Sequence, residues 1–119
     1  MISDEKFRKK EHILKSKDFR TVYKKGRSFR KSGFVLSVMP NDLGNSRLGF
    51  SISSSTIKRA NIRNRIRRLF REFYRKNKLL FKPAFDMVII VRKKPGNKFL
   101  YEDAGSLFTA LGKEAGIIS

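Results

Sequence analysis

The stretch 58–76, KRANIRNRIRRLFREFYRK, constrains this chain more than any other. Placed at about 100° per residue, Ile62, Ile66, Leu69, Phe70 and Phe73 fall on one side, and Ala60, Asn64, Arg67, Arg68, Arg71 and Arg75 on the other. One face is made for a core. The stretch holds nine basic residues, seven of them arginine, against a single acid, Glu72. A solvated helix face normally mixes both signs. Like charges three and four residues apart repel and weaken a helix, so the other face is made for a polyanion.

Charge over the whole chain agrees. Lys and Arg number 29 against 10 Asp and Glu, for a net charge of +19 and a pI near 10.9. That balance predicts nucleic acid or an anionic membrane surface as partner. Residues 1–31 carry twelve bases and four acids, whereas 32–57 are neutral, so the polyanion is expected to meet the N-terminal region and the arginine helix together. A hydrophobic content of 39% with eleven Phe is too apolar for a disordered basic tail. The 119 residues suffice for one domain with one core, spanning 1–119. There is no cysteine, which excludes disulfides, thiol nucleophiles and Cys-based zinc sites and fits a reducing cytoplasm. MISDEKFRKKEH lacks the apolar core of a signal peptide, and no run approaches the ~18 apolar residues of a membrane span.

Taken in order, residues 1–12 read as a flexible basic arm with a solvated His12. A helix over 16–25 is predicted by Ser16 as N-cap, Asp18 in the first turn and Gly26 just past the end, with Phe19, Val22 and Tyr23 as its apolar stripe. Residues 32–39 alternate Phe34, Leu36, Val38 against Val35, Ser37, Met39, and residues 48–53 alternate Leu48, Phe50, Ile52 against Gly49, Ser51, Ser53. With the turn residues 40–45 between them, these two strands are expected to pair as an antiparallel hairpin. The small second face of the later strand predicts a cleft or a closely packed helix. Residues 53–56 offer N-caps for the arginine helix, expected to run 19–20 residues. The run 85–92 is apolar without alternation, as in a strand covered on both faces, and belongs in the middle of a sheet. A last helix over about 99–114 has Leu100, Ala104, Leu107, Phe108 and Leu111 on one face, and Gly105 and Gly112 weaken it. The order is α-β-β-α-β-α, an α+β sandwich. Its second and third strands, joined by the long helix, should be parallel.

No catalytic apparatus is legible. The ten carboxylates are scattered, no acidic metal cluster of the kind two-metal nucleases use is present, and no glycine-rich phosphate loop precedes a helix. The basic helix lacks the short preceding helix of a helix–turn–helix. Guanidinium forks and accessible aromatics suit structured RNA, since they pair with phosphates and stack on bases.

Arg63-Asn64-Arg65, followed by Ile66-Arg67-Arg68-Leu69 and Arg71-Glu72, resembles the RNR signature of the bacterial ribonuclease P protein family. The resemblance extends in order over roughly 13–112: Asp18-Phe19, Tyr23, Phe34-Val35-Leu36, Arg47-Leu48-Gly49-Phe50-Ser51-Ile52, Lys58-Arg59-Ala60 and Phe85-Asp86-Met87-Val88-Ile89-Ile90-Val91-Arg92-Lys93. It implies a subunit of an endoribonuclease that matures the 5′ end of tRNA, with the catalytic centre in an RNA subunit. Mg²⁺ is then bound mainly by that RNA and the substrate, and the chain itself supplies no catalytic residue and no metal ligand.

The resemblance further implies that Lys58, Arg59, Arg63, Asn64, Arg65, Arg67, Arg68, Arg71 and Arg75 bind the ribonuclease P RNA. Phe19, Tyr23, Phe34, Val35, Ser37 and Arg92 would line a cleft for the single-stranded 5′ leader of precursor tRNA. The fold implied is a small mixed sheet packed by helices, similar to the second domain of a small-subunit ribosomal protein. Its β-α-β crossover through the arginine helix is left-handed, against the right-handed rule that holds in ~98% of cases. Two positions depart from the family pattern. Ser54-Ser55-Thr56 stand where lysines are common, and Ser37 where an aromatic can occur. A structural RNA-binding protein without a turnover role, ribosomal for example, fits the same length and composition.

Overall fold

The computed structural model describes residues 11–13, 16–96 and 98–119. Its elements are α1 (Ser16–Lys25), β1 (Arg27–Lys31), β2 (Phe34–Pro40), β3 (Arg47–Ser51), α2 (Ala60–Lys76), a 3-10 turn (Lys78–Leu80), β4 (Phe85–Val91) and α3 (Tyr101–Glu114). The architecture is α+β, with one mixed four-stranded sheet in the order β1-β2-β4-β3.

Two features of the sheet differ from the sequence reading. β1, sequence RSFRK, was absorbed into the basic segment because four of its five residues are exposed and only Phe29 is half-buried. Its signal is the turn that follows. Ser32 and Gly33 both have positive φ, 53° and 82°, the two-residue geometry that closes a tight hairpin with β2. The second difference is that β2 and β3 do not pair. β4 lies between them, antiparallel to β2 and parallel to β3. Residues 87–91 are buried throughout, so β4 gains most from neighbours on both edges. The connection 41–46 need only cross one intervening strand, about 10 Å, which six residues span easily.

Strand alternation divides the interior. Phe34, Leu36, Val38, Leu48, Met87, Ile89 and Val91 meet Ile66, Phe70 and Tyr74 of α2 and Ala104, Leu107, Phe108 and Leu111 of α3 in the main core. Val35, Val88 and Ile90 point the other way, onto Val22 of α1 and Ile13, with Phe19 and Met39 packed at the margin. Asp86, almost fully buried, is held by Arg47 from the adjacent strand and by Asn41 Nδ2 at 2.8 Å. Asp18 of α1 reaches the same guanidinium at 3.5 Å.

α2 is 17 residues long and starts after Arg59, with no side-chain cap. The hydroxyls expected to cap it bond within their own turn: Ser53 Oγ accepts from Thr56 N at 3.2 Å and lies 2.9 Å from Ser55 Oγ. Burial of Ile57 beyond that turn fixes the chain before the helix begins. The glycines of α3 have a packing reason. A Cβ on Gly105 would sit 2.8 Å from the Phe73 ring, and one on Gly112 2.5 Å from Ile118. Leu100, assigned to the apolar stripe, is half exposed; it is the N-cap, and its N–H donates to Asp103 Oδ2 at 2.8 Å. Of the expected N-terminal arm, residues 1–10 lie outside the described residues. Glu11 is buried and bound at 2.8 Å by Lys78 Nζ of the 3-10 turn, and His12 bridges to Leu48 of the sheet, so both are docked on the fold. No described helix is long and apolar enough to cross a membrane.

Candidate nucleic-acid interface

Two basic surfaces flank the sheet. The first is the outer side of α2, held in place because Ile66, Phe70 and Tyr74 are buried beneath it. Lys58, Arg59, Asn64 and Arg68 are exposed, whereas Arg63, Arg65, Arg67, Arg71 and Arg75 are half-buried. Several of these guanidinium groups are already engaged by the protein. Arg63 Nη1 donates to Ile57 O at 2.7 Å and Lys58 O at 2.9 Å, and Arg65 Nη1 donates to Phe99 O at 2.6 Å. Arg75 grips Glu72 through two hydrogen bonds at 3.0 and 2.9 Å, which hold the Glu72 carboxyl below the usual range. Arg67 donates to Asn64 Oδ1 at 2.9 Å.

Arg71 stands apart. Its guanidinium lies 5.4 Å from the centre of the Phe50 ring, and its Nε is, among the described residues, the buried side-chain polar atom without a hydrogen-bond partner. Burial, and then repulsion from Arg67 one turn earlier, lower its pKa. A desolvated cation beside a like charge is a position that an anion relieves. The set offered outward by α2 and the two residues before it is therefore Lys58, Arg59, Arg67, Arg68 and Arg71. Arg63 and Arg65 serve also to fix the two flanks of the helix.

The second surface is a groove of about 240 Å³ between α1 and the sheet, lined by Phe19, Arg20, Tyr23, Ser51, Val88, Ile90 and Arg92. Arg92 Nη2 donates to Tyr23 Oη at 2.6 Å, with the guanidinium 5.5 Å from the ring centre. Tyr23 remains 46% exposed, so one aromatic surface stays available. Gly49 permits the approach of α1, since a Cβ there would lie 2.7 Å from Phe19. The small second face of β3 thus accommodates both a packed helix and a shallow groove.

The structure brings Phe19, Tyr23 and Arg92 together as expected, with Val35 buried in the cluster beneath. It does not bring Phe34. Neighbours in a strand point to opposite faces, and Phe34 lies in the main core, stacked on Phe99 with ring centres 5.3 Å apart. Ser37 is on the groove side but has no exposed surface, and its Oγ shares a 2.7 Å hydrogen bond with Ser28 Oγ of β1. The sequence reading missed Arg20, Ser51, Val88 and Ile90. Period two along 85–92 contains the last two, once the groove side is known.

Among the described residues, no group of three or more His, Asp or Glu is placed to hold a metal ion.

The Ribonuclease P family model matches residues 7–112. The chain is 38% identical over 112 residues to the ribonuclease P protein component of Clostridium novyi, covering 92% of this chain and 97% of that one. It is 37% identical over 95 residues to that of Thermotoga petrophila, covering 80% of each. Among solved structures, the RNase P protein of Staphylococcus aureus gives a TM-score of 0.80 at 29% identity, covering 92% of this chain and 98% of that one. The RNase P protein of Thermotoga maritima gives 0.74 at 30% identity, covering 87% and 96%.

Proposed function

The chain belongs to the Ribonuclease P family, a subunit of that tRNA-processing endoribonuclease and a partner of its RNA, and on that premise we propose that α2 docks the ribonuclease P RNA while the α1 groove holds the 5′ leader of precursor tRNA. The observation that carries this division is the placement of the two basic surfaces on opposite sides of one sheet: α2 packs on the main core and the Tyr23–Arg92 groove on the smaller cluster. One protein can then engage two RNA segments at once.

Lys58, Arg59, Arg67, Arg68 and Arg71 neutralise phosphates of the RNA subunit, with Asn64 orienting Arg67. In the groove, Tyr23 offers a face for a leader base, and Arg92 provides the charge next to it. Bond cleavage is assigned to the RNA. Asp86 is taken by Arg47 and Asn41, Glu72 by Arg75 and Glu11 by Lys78, and no three of the described acidic or histidine side chains stand together as a metal site would need. In this reading Mg²⁺ belongs to the RNA and the substrate, and the protein contributes binding and alignment.

The test is reconstitution of the protein with a bacterial ribonuclease P RNA and precursor tRNA. The protein should lower the Mg²⁺ needed for cleavage and tighten precursor over mature tRNA. Should neither change, the chain is an RNA scaffold without this role.

A further inference from the structure

The end of the sheet at the β1–β2 turn is a rim of cations. Gly33 O accepts from both Arg92 N, at 2.8 Å, and Lys93 N, at 3.2 Å, which ties the hairpin turn to the segment leaving β4. Around this knot Arg30, Lys31, Arg92, Lys93, Lys94 and Lys98 are all exposed. Arg30 pairs with Val35 and so stands on the groove side, whereas Lys31 pairs with Phe34 and stands on the opposite side. The positive charge therefore wraps around the edge of the sheet from one face to the other.

On that far side lies a hollow of about 480 Å³, larger than the groove, lined by residues that include Lys31, Phe34, Lys98, Phe99, Ser106 and Leu107. Its aromatic floor is the half-buried Phe99 ring, backed by the buried Phe34, on which it stacks at 16°. Asp103 is the acid at its wall, and its Oδ2 is engaged by the Leu100 N–H at the start of α3. The other end of α1 contrasts with this: the hollow there is lined by Asp18, Asp42 and Asp86 with Lys17 and Arg47. A strand of phosphates in the groove is repelled from that acidic end and drawn toward the hairpin end.

We propose that single-stranded RNA leaving the α1 groove turns over the Ser32–Gly33 end of the sheet and seats a base in the Phe34/Phe99 hollow, its phosphates on Lys31 and Lys98. The proposal rests on the assignment of the leader to the groove and extends it to the leader nucleotides farther from the cleavage site. An aromatic floor accepts any base, so the seat recognises length and strandedness instead of sequence.

The experiment measures binding of reconstituted holoenzyme to precursor tRNAs with leaders of about 4 and about 16 nucleotides, the range of single-strand site sizes. Wild type is compared with Lys31→Ala/Lys98→Ala, which removes the charge, and with Ser106→Trp, which fills the hollow from an exposed position on α3. Wild type should bind the long leader more tightly, and each variant should lose about tenfold on the long leader alone, the size of one base–aromatic stack. The salt slope for the long leader should fall by about 0.7 per lysine removed. In parallel, 4-thiouridine placed far along the leader should crosslink to residues 98–107. If both variants keep the full long-leader advantage, or the distal crosslinks map elsewhere, this seat is overturned while the groove assignment stands. If wild type binds leader-bearing precursor no more tightly than mature tRNA, the groove assignment fails and takes this proposal with it.

Discussion

Arg47 grips Asp86 directly across the parallel β3–β4 register, Nε to Oδ1 at 2.8 Å and Nη2 to Oδ2 at 2.6 Å. The hydrogen bonds that Arg47 donates to Asp86, against the opposing effect of burial, raise its pKa. Asp86→Ala removes the acceptor that this guanidinium shares with the Asn41 amide, leaving only the longer contacts to Asp18 at 3.5 Å and Asn45 O at 3.1 Å. The expected loss is about 3 kcal/mol, read as a lower urea midpoint at unchanged slope. A loss under about 1 kcal/mol would show that water replaces the carboxylate freely.

Gly105→Ala sets two effects against each other. Helix propensity favours alanine by about 1 kcal/mol, but the new methyl would meet the Phe73 ring at 2.8 Å. Overpacking of this kind costs about 1–3 kcal/mol, so the variant should melt lower than wild type. Adding Phe73→Leu should recover part of the loss; a stabilised single variant would mean the α2–α3 seam yields easily.

The arginines of α2 should separate by partner. Arg68 is exposed, so Arg68→Ala should leave stability within about 0.5 kcal/mol and make the salt dependence of RNA affinity shallower by about 0.7–0.9. Arg65→Ala removes the 2.6 Å bond to the Phe99 carbonyl and should destabilise by about 1 kcal/mol as well. Equal stability of the two variants would contradict the structural role given to Arg65.

Arg92→Ala should weaken leader-bearing precursor by about tenfold and leave mature tRNA unaffected, because the residue is exposed and its partner is Tyr23. Phe19→Ala is a poorer probe. The ring packs against Gly49 and Ile13, so stability falls together with leader binding. Denaturation of both variants, run beside the binding assay, distinguishes the two cases.

Glu72→Gln removes the single acid of α2 and breaks its ion pair with Arg75. The folded-state pKa of Glu72 is lowered, chiefly by the Arg75 hydrogen bond. Its contribution is therefore present above the unfolded carboxylate pKa and is lost as pH falls through the folded value. The pair is substantially exposed, so the stability difference at pH 7 should be within about 0.5 kcal/mol and vanish in acid. RNA affinity at low salt should rise, and a drop would mean that Arg75 needs Glu72 to be oriented for RNA.

The apolar stripes of α1, α2 and α3 and the central position of β4 were legible because burial imposes a period on them. Tyr74 was missed because its hydroxyl disguised a core position; burial first, then the nearby Glu11 carboxylate, raises its pKa. β1 was missed because an edge strand facing solvent carries no apolar alternation. Strand order was misjudged because turn residues between two strands specify a reversal without specifying who pairs with whom. The family pattern named both Phe34 and Val35 for one cleft, and only the pleat separates them. Both ends of the Tyr23–Arg92 pair were foreseen, but the bond between them joins residues 69 positions apart and has no local signal.

The position of β4 between β2 and β3 has a consequence for synthesis. Until residues 85–91 leave the ribosome, the one strand pair that can close is the β1–β2 hairpin, and β3 has no edge to join. During that interval α2 has no finished sheet beneath it, and Ile66, Phe70 and Tyr74 stand open beside its six arginines. Pairings this distant in sequence close slowly, and the nascent chain repels itself throughout. The arrival of one strand, nearly three-quarters of the way along the chain, completes the sheet at a single step.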